Sequence, residues 1–244
     1  KLNPQTGEFS KVDLEEGAGP HNLIVAEDGT IWYAGNRAAH IGRIDPRTGE
    51  IEKITMPKES ARDPHTLVFD TVGDIWFTVQ GGNFIGKLTR KTHEVQLIEV
   101  PTPQARPYGI EIAKNGMVWS VLLGTNKIAS IHPETMELTE HTLPRGDARP
   151  RRIGITDDGR VWYVDYAGGM LGSYDPLSGK FEEWTTPSGA QSRPYGMAVD
   201  GDNRIWFVET GVEPNRFIGF DPAAQSFFAA SDVPSGGGTV RHMH

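Results

Sequence analysis

The side chains of this 244-residue chain that are equipped for chemistry recur at one repeated place. A proline followed by a hydrogen-bonding residue occurs at Pro20-His21, Pro64-His65, Pro107-Tyr108, Pro150-Arg151 and Pro194-Tyr195, with Arg241 or His242 of the tail at the matching position. Two imidazoles, two phenols and a guanidinium are not what a purely structural position collects, because an aliphatic side chain would fill it without polar atoms to satisfy. Arg106, Arg149 and Arg193 precede the proline in three of these phrases, Asp63 precedes it in another, and Arg152 doubles Arg151. An imidazole can move a proton near neutral pH. Guanidiniums and phenols bind carbonyls, phenols and carboxylates.

A repeat positions these residues. Trp32, Trp76, Trp119, Trp162 and Trp206 recur every 43 or 44 residues, each inside the phrase Pro-X-X-aliphatic, Gly-X-aliphatic-Trp, aliphatic-Gly-X-aliphatic and a closing polar/apolar run. Four short strand signals in a period of roughly 40 to 50 residues predict an all-β β-propeller built of four-stranded antiparallel blades. Gly29, Gly73, Gly116 and Gly159 lie three residues before a tryptophan, where a tight turn needs positive φ, and Asn203 takes that place in the fifth repeat. Asn3-Pro4-Gln5-Thr6-Gly7, Asp45-Pro46-Arg47-Thr48-Gly49 and Asp175-Pro176-Leu177-Ser178-Gly179 read as hairpin turns between third and fourth strands. The recurring tryptophan is expected to pack blade on blade. In this architecture the Pro-X-X-aliphatic strand is the innermost one, so the residues after proline ring the channel and form a polar, cationic mouth suited to a small-molecule ligand.

The phrase at Leu2-Asn3-Pro4 matches the end of a third strand, and Thr239 to His244 matches an opening strand with no tryptophan after it. Residues 1–244 therefore read as one propeller domain of five complete blades plus partial blades at both termini, from a seven-bladed parent. The net charge of −8, from 24 basic and 32 acidic residues, argues against nucleic acid or an anionic membrane as partner. There is no cysteine, which excludes disulfides, thiolate metal sites and a cysteine nucleophile. No apolar run reaches the roughly 18 residues of a membrane span. A monomer is expected, in the periplasm or secreted if a signal peptide precedes Lys1 and cytoplasmic otherwise.

Gly19-Pro20-His21, Asp63-Pro64-His65, Ile75-Trp76-Phe77-Thr78, Asn126-Lys127-Ile128 and Arg106-Pro107-Tyr108-Gly109-Ile110 together resemble the virginiamycin B lyase (streptogramin lyase) family of seven-bladed propellers, over essentially the whole chain. The resemblance implies a carbon–oxygen lyase that opens a cyclic depsipeptide of the streptogramin B type by Mg²⁺-assisted β-elimination. A histidine removes a proton α to a carbonyl and the cation stabilises the enolate. Carried onto this chain, His65 is the base and His21 contacts substrate. Asp63 stands where the family has one glutamate ligand, and Gln80, a neutral and weaker Mg²⁺ ligand, stands near the place of the second.

Each of these residues also has a structural explanation. His65 and His21 can hydrogen-bond a neighbouring blade, Asp63 and Gln80 can satisfy loops, and Tyr108 and Tyr195 can line the channel wall. Tyr108, Arg151, Arg152, Tyr195 and Arg241 are read as substrate-binding, with Asp165 and Glu209, three residues after their tryptophans, as partners of the arginine doublet or alternative metal ligands. His40, His93, His132 and His141 are expected at the surface. A metal-dependent lactonase of the gluconolactonase type and a non-catalytic binding or sensor propeller stay open beside the lyase.

Overall fold

A computed structural model describes residues 2–243; Lys1 and His244 lie outside the described residues. Twenty strands form five four-stranded antiparallel sheets, each running from the inner to the outer strand in chain order. The first blade is β1 (Pro20–Val25), β2 (Ile31–Gly35), β3 (His40–Ile44) and β4 (Ile51–Thr55). The second is β5 (Pro64–Phe69), β6 (Ile75–Val79), β7 (Phe84–Thr89) and β8 (Glu94–Glu99). The third is β9 (Pro107–Ile112), β10 (Val118–Leu122), β11 (Lys127–Ile131) and β12 (Leu138–Thr142). The fourth is β13 (Pro150–Ile155), β14 (Val161–Asp165), β15 (Met170–Asp175) and β16 (Lys180–Thr185). The fifth is β17 (Pro194–Val199), β18 (Ile205–Glu209), β19 (Arg216–Asp221) and β20 (Ser226–Asp232). Successive inner strands β1, β5, β9, β13 and β17 lie side by side around the channel.

The turn chemistry is as the sequence predicts. Gly29, Gly73, Gly116 and Gly159 have φ of 82°, 85°, 84° and 83°, and Asn203 substitutes at 61°. A second use of glycine lies in the third strands. A Cβ on Gly42, Gly86 or Gly172 would fall on the ring of Tyr33, Phe77 or Tyr163, the residue after the tryptophan in the adjacent strand. In the third blade that residue is Ser120, and Ala129 faces it in place of glycine. The aliphatic-Gly-X-aliphatic phrase therefore exists to seat an aromatic ring across the strand.

The core lies between blades, in four clusters. Trp32 packs with Ile75 and Phe77 of the second blade, Trp76 with Ile110 and Val118 of the third, Trp119 with Ile153 and Tyr163 of the fourth, and Trp162 with Phe207 and Phe220 of the fifth. Trp206 departs from the expectation of equal burial. It is half-buried and stacked on Phe217 at 4.9 Å within its own blade. Around residue 240 the tail lies beside β17, with Gly196 N donating to Val240 O at 3.3 Å, and takes no regular strand conformation. Leu2 bridges Phe9 across the turn that ends at Gly7. Among the described residues, the only helical element is a three-residue turn at Gly189–Gln191, and no helix is long and apolar enough to cross a membrane.

Two surface expectations are corrected. His40 is 3% exposed, its Nε2 3.3 Å from the Tyr33 hydroxyl. His141 lies against the Trp119 and Tyr174 rings, with Nε2 2.9 Å from Ser130 Oγ and Nδ1 3.1 Å from the Tyr174 hydroxyl. Both sit on strands whose neighbours supply an aromatic ring and a hydroxyl, which satisfies an imidazole without water. His132 is exposed and His93 pairs with Glu52 at the surface.

Candidate functional site at the channel mouth

The inner strands carry the same irregularity in every blade. The pairing steps from Pro20↔Gly35 to Leu23↔Tyr33, from Pro64↔Val79 to Leu67↔Phe77, from Pro150↔Asp165 to Arg152↔Val164, and from Pro194↔Glu209 to Met197↔Phe207. The third blade steps between Leu122 and Ser120. Proline offers no N–H to the ladder, so the ladder breaks after it and the strand gains a residue relative to its partner. A bulge of this kind re-aims the next side chain, and the side chains it re-aims are His21, His65, Tyr108, Arg151 and Tyr195.

These five residues meet. The His21 and His65 rings lie 3.8 Å apart between centroids, His65 and Tyr108 4.1 Å, and Tyr108 and Tyr195 6.3 Å. The two tyrosine hydroxyls hydrogen-bond each other. The Arg151 guanidinium sits 3.9 Å from the Tyr195 ring, 4.3 Å from Tyr166 and 5.2 Å from Tyr108; Arg152 sits 5.3 Å from Tyr108 and 5.6 Å from Tyr195. Cation–π contact holds the two guanidiniums side by side. Their Nε atoms are buried without a partner, and Arg152 Nη2 donates to Arg241 O at 3.0 Å. Arg241 thus reaches the site through its carbonyl, while its side chain is exposed.

Electrostatics follow from burial and from this cationic pair. Burial drives His65 down to about 2, with His21 and the Arg152, Arg151 and Arg106 charges pushing the same way. Burial also lowers His21, aided by Arg152, so both imidazoles are neutral at pH 7. They differ in access: His65 is 3% exposed and its Nδ1 lies 2.9 Å from Thr66 Oγ1, whereas His21 is open. Burial raises the Tyr108 phenol, reinforced by its bond to Tyr195, and keeps it protonated. Glu111, recessed in β9, is pushed up to about 7 by burial, against the pull of Arg152.

The residues implied as metal ligands are placed differently. The Asp63 carboxylate accepts from the Asn36 side-chain amide, which also donates to Pro64 O at 3.1 Å, and Asp63 O accepts from Gln80 N at 3.0 Å. Both residues thereby tie two loops together. Among the described residues no group of three or more His, Asp and Glu side chains is placed to hold a metal ion. Asp165 and Glu209 do not partner the arginine doublet. Asp165 is fully buried, pairs with Arg145, and accepts from the Arg149, Ala167 and Gly168 amides. Glu209 is equally buried and accepts from Ser188 N and Oγ at 2.8 and 2.5 Å. Among the described residues no carboxylate lies within 4.0 Å of Arg151 or Arg152.

Sequence reasoning missed Glu111 and Tyr166. Glu111 had a signal, since the matching residue is Ile24, Val68, Gly154 or Ala198 in the other blades. Tyr166 stands four residues after its tryptophan, the place of Gln80 one repeat pair earlier.

With this geometry in hand, comparison with known proteins is direct. A streptogramin B lyase structure is 28% identical and covers 92% of this chain and 72% of its own, with a TM-score of 0.82. A catalytically inactive histidine-to-alanine variant of the Staphylococcus aureus virginiamycin B lyase, solved with quinupristin, is 26% identical, covers 92% of this chain and 74% of its own, and has a TM-score of 0.82. A Bacteroides fragilis protein described as a putative 6-phosphogluconolactonase, 15% identical over 95% of this chain and 76% of its own with a TM-score of 0.69, shares the fold alone. No curated protein sequence matches the chain. The profile of the virginiamycin B lyase family matches residues 3–214, and with the five blades and their ring of post-proline residues this places the chain as a member of that family.

Proposed function

We propose that this protein is a carbon–oxygen lyase that opens a cyclic ester, of the streptogramin B depsipeptide class, at the channel mouth. The observation that carries the reading is the juxtaposition of a neutral histidine pair with two guanidiniums that have no carboxylate within 4.0 Å among the described residues. The first is a proton acceptor and the second is a fixed positive field. The relative whose histidine-to-alanine variant is inactive supports a histidine role in this family's chemistry.

His21 is the imidazole a ligand can touch, and His65 backs it and fixes its plane. In the reaction the His21 imidazole takes a proton from a carbon α to a carbonyl. The released electron pair forms a carbon–carbon double bond as the bond from the β-carbon to the ester oxygen breaks. That oxygen leaves as a carboxylate, and Arg151 and Arg152 stabilise the charge that develops. Tyr108, kept protonated by burial, and Tyr195 wall the site and add hydroxyl groups. The reading routes no step through a cation, since the Asp63 carboxylate is held by Asn36 and the described residues assemble no group of three His, Asp or Glu side chains. A gluconolactonase-type reaction needs several carboxylates around a metal, a group the described residues do not assemble.

The test is mass spectrometry of a streptogramin B depsipeptide incubated with the folded protein, with and without EDTA. A product of unchanged mass and altered retention, formed equally in EDTA, is expected. Gain of one water would overturn the lyase reading. Saturable thermal stabilisation by the depsipeptide without product would assign the same face to ligand binding alone.

A further inference from the structure

We infer that the depression between the third and fourth blades is an oxyanion-binding subsite that receives a carboxylate or phosphoryl group of a small organic ligand. It is an open cavity of about 610 Å³, formed where four loops converge on the channel face. Three of its lining residues are arginines: Arg106, Arg149 and Arg151. Gln104 and Tyr166 add polar groups, and no acidic residue lines it.

The charge pattern is the first argument. The chain has 32 acidic and 24 basic residues, yet among the described residues none of these three guanidiniums has a carboxylate within 4.0 Å. Nearby Arg145 shows the contrast, since it is matched by Asp147, Asp165 and Glu183. Guanidiniums that line one cavity without a carboxylate partner repel one another, Arg149 Nη1 being engaged only by the Ala148 and Gly146 carbonyls at 2.6 and 3.5 Å, and an oxyanion that accepts from them in forked geometry removes that repulsion.

The second argument is how each arginine is held. Arg151 is sandwiched over Tyr166 and Tyr195, and its buried Nε has no partner. Arg149 is anchored through its backbone N–H on the buried Asp165 carboxylate at 2.8 Å. Arg106 has φ of 53°, a left-handed backbone that the first blade assigns to Gly19 at the same place, and its N–H donates to Asn83 Oδ1 at 3.3 Å. Asp63 and Arg193 share this left-handed backbone at φ of 68° and 45° in their blades, so the fold accepts a side chain there, and in the third blade that side chain is the arginine that lines the cavity.

The inference rests on the lyase reading in that ring opening of a cyclic ester generates the carboxylate such a subsite would receive, but its test needs no turnover. Titration calorimetry with inorganic phosphate and with malonate is done on the full chain, on the Arg106→Gln/Arg149→Gln double variant, and on Arg204→Gln as a remote control. Arg106 is exposed and Arg149 half-buried, so the double change leaves the blade cores intact. Saturable binding of either probe to the wild type, weakened about tenfold or more in the double variant and unchanged in the control, is the expected result. Binding of malonate alone identifies a carboxylate subsite, and binding of phosphate alone a phosphoryl subsite. No saturable binding to the wild type, or equal affinity in the double variant, would overturn the subsite whatever the lyase assay gives.

Discussion

The residues of the channel mouth are chemically distinctive because their charge states are set by what packs against them. His65 is neutral because its ring is enclosed between His21 and Tyr108 and faces arginine charge. Glu111 shows the opposite effect, with a carboxyl that burial holds up at about 7 against an ordinary 4.5. The folded state then retains a proton that the unfolded state has lost between those values, so this residue's contribution to stability falls as pH rises through the window. Glu111→Gln removes that loss. The variant should match or trail the wild type near pH 4.5 and gain on it progressively towards pH 7. Thermal unfolding of both proteins across that range decides it: a gap in Tm that does not change with pH would refute the buried-carboxyl account. His65 has the reverse sign, stabilising at neutral pH and costing stability as pH falls below 6.5, and it is common to both proteins. Pairing with Arg145 could not be read for Asp165 from the sequence, because the partner comes from a different loop 20 residues away. The post-proline residues were legible, because the bulge that aims them is caused by the proline beside them.

At the level of elements, the blade is written in the sequence with little ambiguity. Glycine three residues before tryptophan, the turn motif ending at Gly49 or Gly179 and the small residue opposite the ring of Tyr33, Phe77 or Tyr163 each meet a local steric demand, so each is visible without the fold. Burial depends on neighbours and was less legible. Trp76 is fully buried against the third blade, while Trp206, in the same phrase, is half-buried and stacks on Phe217 of its own blade. His40 and His141 mislead for a related reason, since an outer-blade histidine is sheltered only when an aromatic ring and a hydroxyl from adjacent strands reach it. The expected consequence is a graded response to tryptophan removal. Trp76→Ala should cost roughly 3 to 5 kcal/mol, and Trp206→Ala clearly less, as read by denaturant unfolding. Equal losses at the two positions would contradict blade-on-blade packing as the role of the repeat.

For the whole molecule, function follows from blades arranged so that their inner strands meet. No single blade carries the site: His21, His65, Tyr108, Arg151 and Tyr195 come one from each, and only the ring of β1, β5, β9, β13 and β17 brings a proton acceptor, phenols and unmatched guanidiniums onto one face. Membership of the virginiamycin B lyase family fits that arrangement, and the proposed elimination would develop its charge beside the cationic pair. The account stands most directly on His21 as the imidazole that takes the proton, and it is tested by steady-state turnover of a streptogramin B depsipeptide by wild type and by His21→Asn, with folding matched by circular dichroism. General-base catalysis is worth about 10²- to 10⁴-fold, so kcat should fall by at least about a hundredfold in the variant with KM little changed. Elimination at the wild-type rate by folded His21→Asn would contradict it.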